Sequence, residues 1–377
     1  MQCRKIASNY LWTPAGFLRN PLVEVDAAGR IVAVTSCADP DRHHGTEFYA
    51  GILTPSFVNA HCHLELSYLR GAIPQGCGFA GFAAAMGAVR ERASAAERRQ
   101  AMQAADAALW QAGVGAVGDV STGETSFEVK AASRIAYHTF VEFFGLRSAS
   151  AEPLRALLCA PHTSLTPHSI YSVQDAPFRA ICAEGRAPLS IHFMESAAEL
   201  ALFERRGDLW EWYSKVGFTC DFLHYGSPAQ RIVDSVPASR STILVHACCC
   251  TSDDIERLMN HFTAPLFWCL CPQSNHYISR TTPPVELLRA HGAHICIGTD
   301  SLASNTNLSM LDELRAFVDV PLVELLGWAT LQGARALGLD DELGTVAVGK
   351  RCGLNVLSGL DYERMALTDR SQVQRLL

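Results

Sequence analysis

Short apolar runs alternate with longer amphipathic stretches along most of the chain, and the runs are continuous rather than alternating. They fall near 52–60, 114–120, 137–144, 157–162, 188–193, 242–247, 265–271 and 294–299. A strand buried on both faces reads as an unbroken apolar run, whereas a strand with one wet face alternates. Helical stretches lie between the runs. Ala93 to Ala112 is rich in Ala, Glu, Arg and Gln, and Ala197 to Lys215 carries Glu199, Leu202, Phe203 and Leu209. Strands alternating with helices predict a parallel sheet wrapped by helices, and eight strands is the number in a (β/α)8 barrel.

The flanks read differently. Leu22 to Val25 and Arg30 to Val34 are short strand candidates separated by the turn Asp26-Ala27-Ala28-Gly29, and Leu343 to Lys350 and Leu354 to Leu357 repeat the pattern near the other end. The expected fold class is therefore α/β: a TIM-like (β/α)8 barrel over 51–343, with a small β-sandwich domain composed of 1–50 and 344–377. Gly71 to Phe82, with glycines at 71, 76, 78 and 81, reads as a mobile loop over the mouth of the barrel.

Several apolar runs end in residues that bind metals. Phe57-Val58-Asn59-Ala60 leads into His61-Cys62-His63, and on an extended strand the two histidines share a face while Cys62 points away. Later runs end in His192, His246 and Asp300. All strand C-termini of a barrel meet at one face, so these distant residues converge. Three imidazoles and one carboxylate suit zinc, tolerate iron or manganese, and leave a position for water. A divalent ion lowers the pKa of bound water from ~15.7 towards ~7, giving hydroxide at neutral pH. Glu195, three residues after His192, can act as general acid and base once burial raises its pKa. Asp300 can accept the proton of the attacking water, and Glu65, two residues beyond His63, can project towards a substrate amine or ring nitrogen.

Composition narrows the partners. The 377 residues carry a net charge of −7, and Lys5, Lys130, Lys215 and Lys350 are the only lysines, so no basic surface exists to neutralise a nucleic-acid backbone. The 14 cysteines are spread along the chain, many inside apolar runs, which favours reduced thiols in the cytoplasm over a secreted disulfide framework. Cys248-Cys249-Cys250 is read as core or pocket-wall thiols, because adjacent residues do not share a strand face. Met1 to Ile6 lacks the apolar core of a signal peptide, and no window reaches the ~20 apolar residues of a membrane span. A small-molecule substrate is expected, and a homodimer is compatible with the sequence.

Taken together, His61-Cys62-His63 after an Asn-Ala pair, His192-Phe193-Met194-Glu195, Val245-His246, Cys271-Pro272-Gln273-Ser274-Asn275 and Gly298-Thr299-Asp300-Ser301 resemble the amidohydrolase superfamily. The likeness is to its cytosine and adenosine-type amine deaminase and chlorohydrolase branch, with a shorter likeness to aminodeoxyfutalosine deaminases around His61 to Leu66. The resemblance implies His61, His63, His192 and Asp300 as ligands of one divalent ion, Glu195 as proton shuttle, and His246 as a hydrogen-bond partner of the attacking hydroxide. It also implies His168, within Pro167 to Ser172, as a substrate-binding residue, with Ser274 and Asn275 lining the pocket. Dinuclear members place a bridging lysine at the end of the fourth strand, and Leu154 to Tyr171 contains none. The implied activity is hydrolytic deamination of an aromatic or heterocyclic amine, such as a purine-type base or nucleoside. Chlorohydrolase or cyclic amide hydrolase chemistry at the same site is the alternative, and a non-catalytic metal-binding protein is a remote one.

Overall fold

The structure is a computed structural model, and it describes residues 3–36, 45–147, 150–185 and 187–377. Five strands come first: β1 (Arg4–Thr13), β2 (Gly16–Arg19), β3 (Pro21–Val25), β4 (Ile31–Ser36) and β5 (Thr46–Thr54). Eight further strands alternate with helices: β6 (Phe57–Cys62), β7 (Val114–Ser121), β8 (Ala136–Phe143), β9 (Thr163–Pro167), β10 (Leu189–Phe193), β11 (Thr242–His246), β12 (Leu266–Leu270) and β13 (His294–Ile297). Two short strands, β14 (Asn355–Ser358) and β15 (Gln372–Arg375), close the chain.

The first five strands and the last two form one seven-stranded sheet in the order β15-β14-β5-β1-β3-β4, with β2 paired to β1. The C-terminal segment joins where β14 runs antiparallel to β5, pairing Val356 with Leu53. β5 crosses position 51 and continues this sheet as far as Thr54.

The middle strands form two four-stranded sheets, β6-β7-β8-β9 and β10-β11-β12-β13, parallel throughout. Single parallel bridges link the sheets at both edges, Ser169 to His192 and Cys62 to Asp300. Both faces of the strands are buried. On β11, Ile243 and Val245 pack into one apolar cluster with Phe140 and Phe267, while Leu244 packs with Trp268 and Leu270 in another. Fully burying one such side chain stabilises the fold by about 1.5–3 kcal/mol, which explains why these strands read as unbroken apolar runs. Among the described residues, no helix is long and apolar enough to cross a membrane.

Five local expectations are corrected. The run at 52–60 is two strands, β5 and β6, separated by Pro55 and Ser56, because proline cannot donate to a ladder. The strand expected at 157–162 is a short 3-10 helix, Ala156–Cys159, and the real strand, β9, follows it. Thr163, Ser164 and Thr166 make β9 polar, and their hydroxyls find partners such as the Ala160 and Ser190 carbonyls. The stretch 197–215 is two helices, Ala197–Phe203 and Gly207–Val216, broken where Arg205 and Gly207 take φ of 56° and 82°. Leu343 to Lys350 forms turns rather than a strand. The glycine-rich segment at 71–82 passes into a helix at Gly78–Val89.

Candidate active site

The C-terminal ends of β6 and β13 are clipped together. Asn59 donates through Nδ2 to Thr299 Oγ1 (2.7 Å) and accepts from the Thr299 N–H at Oδ1 (3.1 Å). The Thr299 and Asp300 N–H groups both donate to the His61 carbonyl, at 3.0 and 3.1 Å. Gly298 is needed here, since a Cβ at that position would lie 2.8 Å from His61 Cβ and 2.9 Å from the His61 carbonyl oxygen. The result brings Asp300 Oδ1 to 3.7 Å from His61 Nε2 and 3.6 Å from His63 Nε2. Beneath this corner Asp119 accepts from the Leu64 N–H (2.8 Å) and pairs with Lys130 (2.8 Å), both side chains buried.

His192 enters from β10. Its Nδ1 donates to the His168 carbonyl (2.9 Å), which leaves Nε2 as a lone pair pointing at His63 Nε2, 3.2 Å away. His168 stacks on the His192 ring at 4.5 Å. Burial, reinforced by the neighbouring imidazoles, lowers the pKa of His63 to about 4, that of His168 to about 3 and that of His192 well below its ordinary value. All three rings are therefore neutral at pH 7, the form that binds metals.

His246 ends β11 with φ of 78°, and Asp300 follows β13 with φ of 56°. Such left-handed backbone costs about 1–3 kcal/mol at a non-glycine residue and persists where the surroundings over-determine it. Asn275 donates to His246 Nδ1 (3.0 Å), so the ring hydrogen resides on Nε2, which is buried without a partner and lies 4.0 Å from Glu195 Oε1. Glu195 is held through its backbone: Glu199 accepts from the N–H groups of Met194 (2.9 Å), Glu195 (2.6 Å) and Ser196 (3.3 Å). Burial, with Asp300 and Glu199 nearby, raises the Glu195 pKa well above the usual carboxyl range. Asp300 goes the other way: burial pushes it up, but the surrounding histidines pull it well below its ordinary value. Its Oδ2 accepts from Ser274 (2.6 Å) and Ser304 (2.7 Å).

One donor atom each from His61, His63, His192 and Asp300 lies within 4.8 Å of the others. Both ring nitrogens of His61 are buried without a partner, and the Nε2 atoms of His63 and His192 turn toward one another. Two orphaned buried nitrogens on His61 are unfavourable alone and are relieved by a cation shared with the neighbouring imidazoles and the Asp300 carboxylate, so these four residues fit a divalent ion.

The cluster opens into a cavity of about 370 Å³. Glu65, Glu142, His168, Glu195 and Asp300 line its polar side, with Phe79, Phe82, Met86, Phe144 and Trp212 on the apolar side. Both Glu65 oxygens are engaged, accepting from the Thr122 N–H (3.1 Å) and Oγ1 (2.7 Å). Ser274 and Asn275 are buried one layer behind the cavity, against Asp300 and His246 respectively.

A profile describing the amidohydrolase family matches residues 52–374. The chain belongs to the amidohydrolase family. This amidohydrolase is 30% identical over 339 residues to an adenosine deaminase of Helicobacter pylori, a match covering 82% of this chain and 79% of that one. A crystal structure of Helicobacter pylori aminofutalosine deaminase with methylthio-coformycin superposes with a TM-score of 0.80 at 25% identity, covering 99% and 100% of the two chains. Atrazine chlorohydrolase from Arthrobacter aurescens, solved with zinc, shares the fold with a TM-score of 0.76 at 18% identity, covering 99% and 95%. The two deaminase relatives agree with the carbon–nitrogen hydrolase that the family resemblance implies.

Several further groups at the site of this amidohydrolase carry weaker signals in the sequence. Glu142 ends an apolar run just as His192 does, so the same strand-end rule applied to β8 would have found it. Thr122 and Ser304 act on carboxylates from loops, where no periodicity marks them. Arg90 reaches the cavity from the end of the helix at Gly78–Val89.

Proposed function

We propose that this protein is a metal-dependent hydrolytic deaminase that replaces the amino group of a purine-type heterocycle, as free base or nucleoside, and releases ammonia. The observation that carries the reading is the placement of Glu195, a buried carboxyl of raised pKa, on the same cavity as the four-donor cluster and 4.0 Å from His246. An ion held by His61, His63, His192 and Asp300 supplies, when bound, a lowered pKa for water. Glu195, whose protonated form burial favours, delivers its proton to a ring nitrogen beside the amine-bearing carbon. His246 donates from Nε2 to the oxygen added at that carbon. Asp300, anchored at Oδ2 by two serines, accepts the proton of the attacking water through Oδ1. Water thus adds its oxygen to the carbon, the proton held by Asp300 passes to the amino nitrogen, and the carbon–nitrogen bond breaks to release ammonia, while the ring nitrogen keeps the proton it received and the hydrogen of the added hydroxyl returns to Glu195.

The nitrogen-rich donor set supports a single zinc ion. The bridges at both sheet edges support a closed (β/α)8 barrel, and the pairing of β14 with β5 supports a satellite domain built from 1–50 and 344–377. The thirteen described cysteines are free, which supports the cytoplasm as the compartment. Substitution Glu195→Gln tests the reaction: ammonia release should fall at least ~100-fold, the scale of general acid–base catalysis, with metal content unchanged. A fall of less than ~10-fold removes Glu195 from the chemistry. Chloride release from a chlorinated heterocycle, without ammonia from any amine, moves the protein to chlorohydrolase chemistry.

A further inference from the structure

Every carboxylate around the cavity has an evident task except Glu142. Glu65 accepts a hydrogen bond on each oxygen from Thr122, Asp300 is anchored by Ser274 and Ser304, and Glu195 stands beside His246. Glu142, the penultimate residue of β8, is only 5% exposed and lines the cavity with its Oε1 buried and without a hydrogen-bond partner. A buried acceptor left empty is costly, so the site is built for a group that arrives with the substrate.

Its neighbours cannot serve. His192 Nδ1 lies 3.9 Å away, but its hydrogen is already given to the His168 carbonyl. Arg90, the one lysine or arginine among the described residues lining the cavity, turns its Nη2 to Thr122 Oγ1 at 3.2 Å. Glu142 is also placed for the substrate rather than for the reaction. It lies near the C-terminal end of β8, separated by β9 from the β10 edge that carries His192 and leads to Glu195. With the reacting edge of a heterocycle between Glu195 and His246, the side of the cavity lined by His168 and Glu142 is left for its remaining substituent, a Glu142 oxygen lying within 4.8 Å of a His168 ring nitrogen.

We infer that Glu142 is a specificity-determining residue that accepts the hydroxyl hydrogens of a sugar attached to the heterocycle, so that the preferred substrate is a ribonucleoside. The two oxygens of one carboxylate match the two hydroxyls of a vicinal diol. This inference rests on the deaminase reading and narrows its substrate. A second divalent ion held by Glu142, His168 and His192 is the competing occupant, and it would have to displace the hydrogen that fixes His192 Nδ1.

The test is steady-state ammonia release by the metal-loaded wild type from adenosine, 2′-deoxyadenosine, 3′-deoxyadenosine and adenine. The kcat/KM for adenosine should exceed that for at least one deoxynucleoside by about 10- to 100-fold, the range for leaving a buried acceptor without its partner. In Glu142→Ala the ratio should shrink to within about 3-fold, with the metal content per chain unchanged. Equal turnover of the ribo and both deoxy substrates by the wild type, which needs no variant, overturns the inference while leaving the deaminase intact. So does a ribose preference that survives in Glu142→Ala, or loss of a second metal equivalent in that variant. Absence of ammonia from all four compounds overturns the aminopurine deaminase reading and this inference with it.

Discussion

Removing the two hydroxyls that hold Asp300 should weaken metal binding without unfolding the protein. Ser274 and Ser304 donate to Asp300 Oδ2 at 2.6 and 2.7 Å, and all three groups are buried. A hydrogen bond to a charged acceptor contributes about 1.5–3 kcal/mol, and loss of a partner behind a metal ligand costs about 10- to 100-fold in affinity. The two serine oxygens lie 2.9 Å apart on the same carboxylate oxygen, so either hydroxyl can partly replace the other. Ser274→Ala or Ser304→Ala alone should therefore weaken zinc binding by about 10-fold, and the double variant by about 100-fold or more. Competition between apo-protein and a zinc chelator measures this directly, with thermal unfolding of the apo-proteins as the check on folding. A double variant that holds zinc within about 3-fold of the wild type would refute the role given to the serines.

Two further outcomes concern stability. Lys130→Met leaves Asp119 buried without its cation, a loss of about 3–5 kcal/mol, which with ~2.1 cal/mol/K per residue lowers Tm by about 4–6 °C in a chain of this length. Adding Asp119→Asn should recover most of the shift, and a single variant that melts within 1 °C of the wild type (about 0.8 kcal/mol) contradicts this. His138, bonded to Ser164 at 3.0 Å, has its pKa lowered to about 4, chiefly by burial and then by the charges of His162 and Lys130. Its unfolded pKa is about 6.5, so its neutral form stabilises the fold fully above that pH, and this contribution is lost as pH falls towards 4. Urea midpoints at pH 7 and 4.5 should show the wild type losing about 2–3 kcal/mol more than His138→Gln, and equal losses would exclude His138 as the cause.

The metal-ligand candidates were legible because His61, His63, His192 and Asp300 each interrupt or follow an apolar run at a strand end, where the topology forces convergence. β9 was not, because its buried Thr166 hydroxyl bonds across to β10, and a satisfied polar residue erases the apolar signal. Glu199 was assigned only to a helical face, yet its carboxylate caps the turn that carries Glu195. Ser274 was placed on the pocket wall from its motif, whereas it stands behind Asp300. Side chains that position others leave no periodic trace, because their spacing follows loop geometry rather than a helix or strand repeat.

The most direct test of the metal-dependent deaminase is ammonia release from adenosine measured on the same preparation before chelation, after chelation, and after reloading with one equivalent of zinc. Activity should disappear with the metal and return with it, while His61→Ala and Asp300→Ala preparations stay inactive throughout. Ammonia release that persists in the chelated protein, or that never appears in the loaded one, would contradict the assignment.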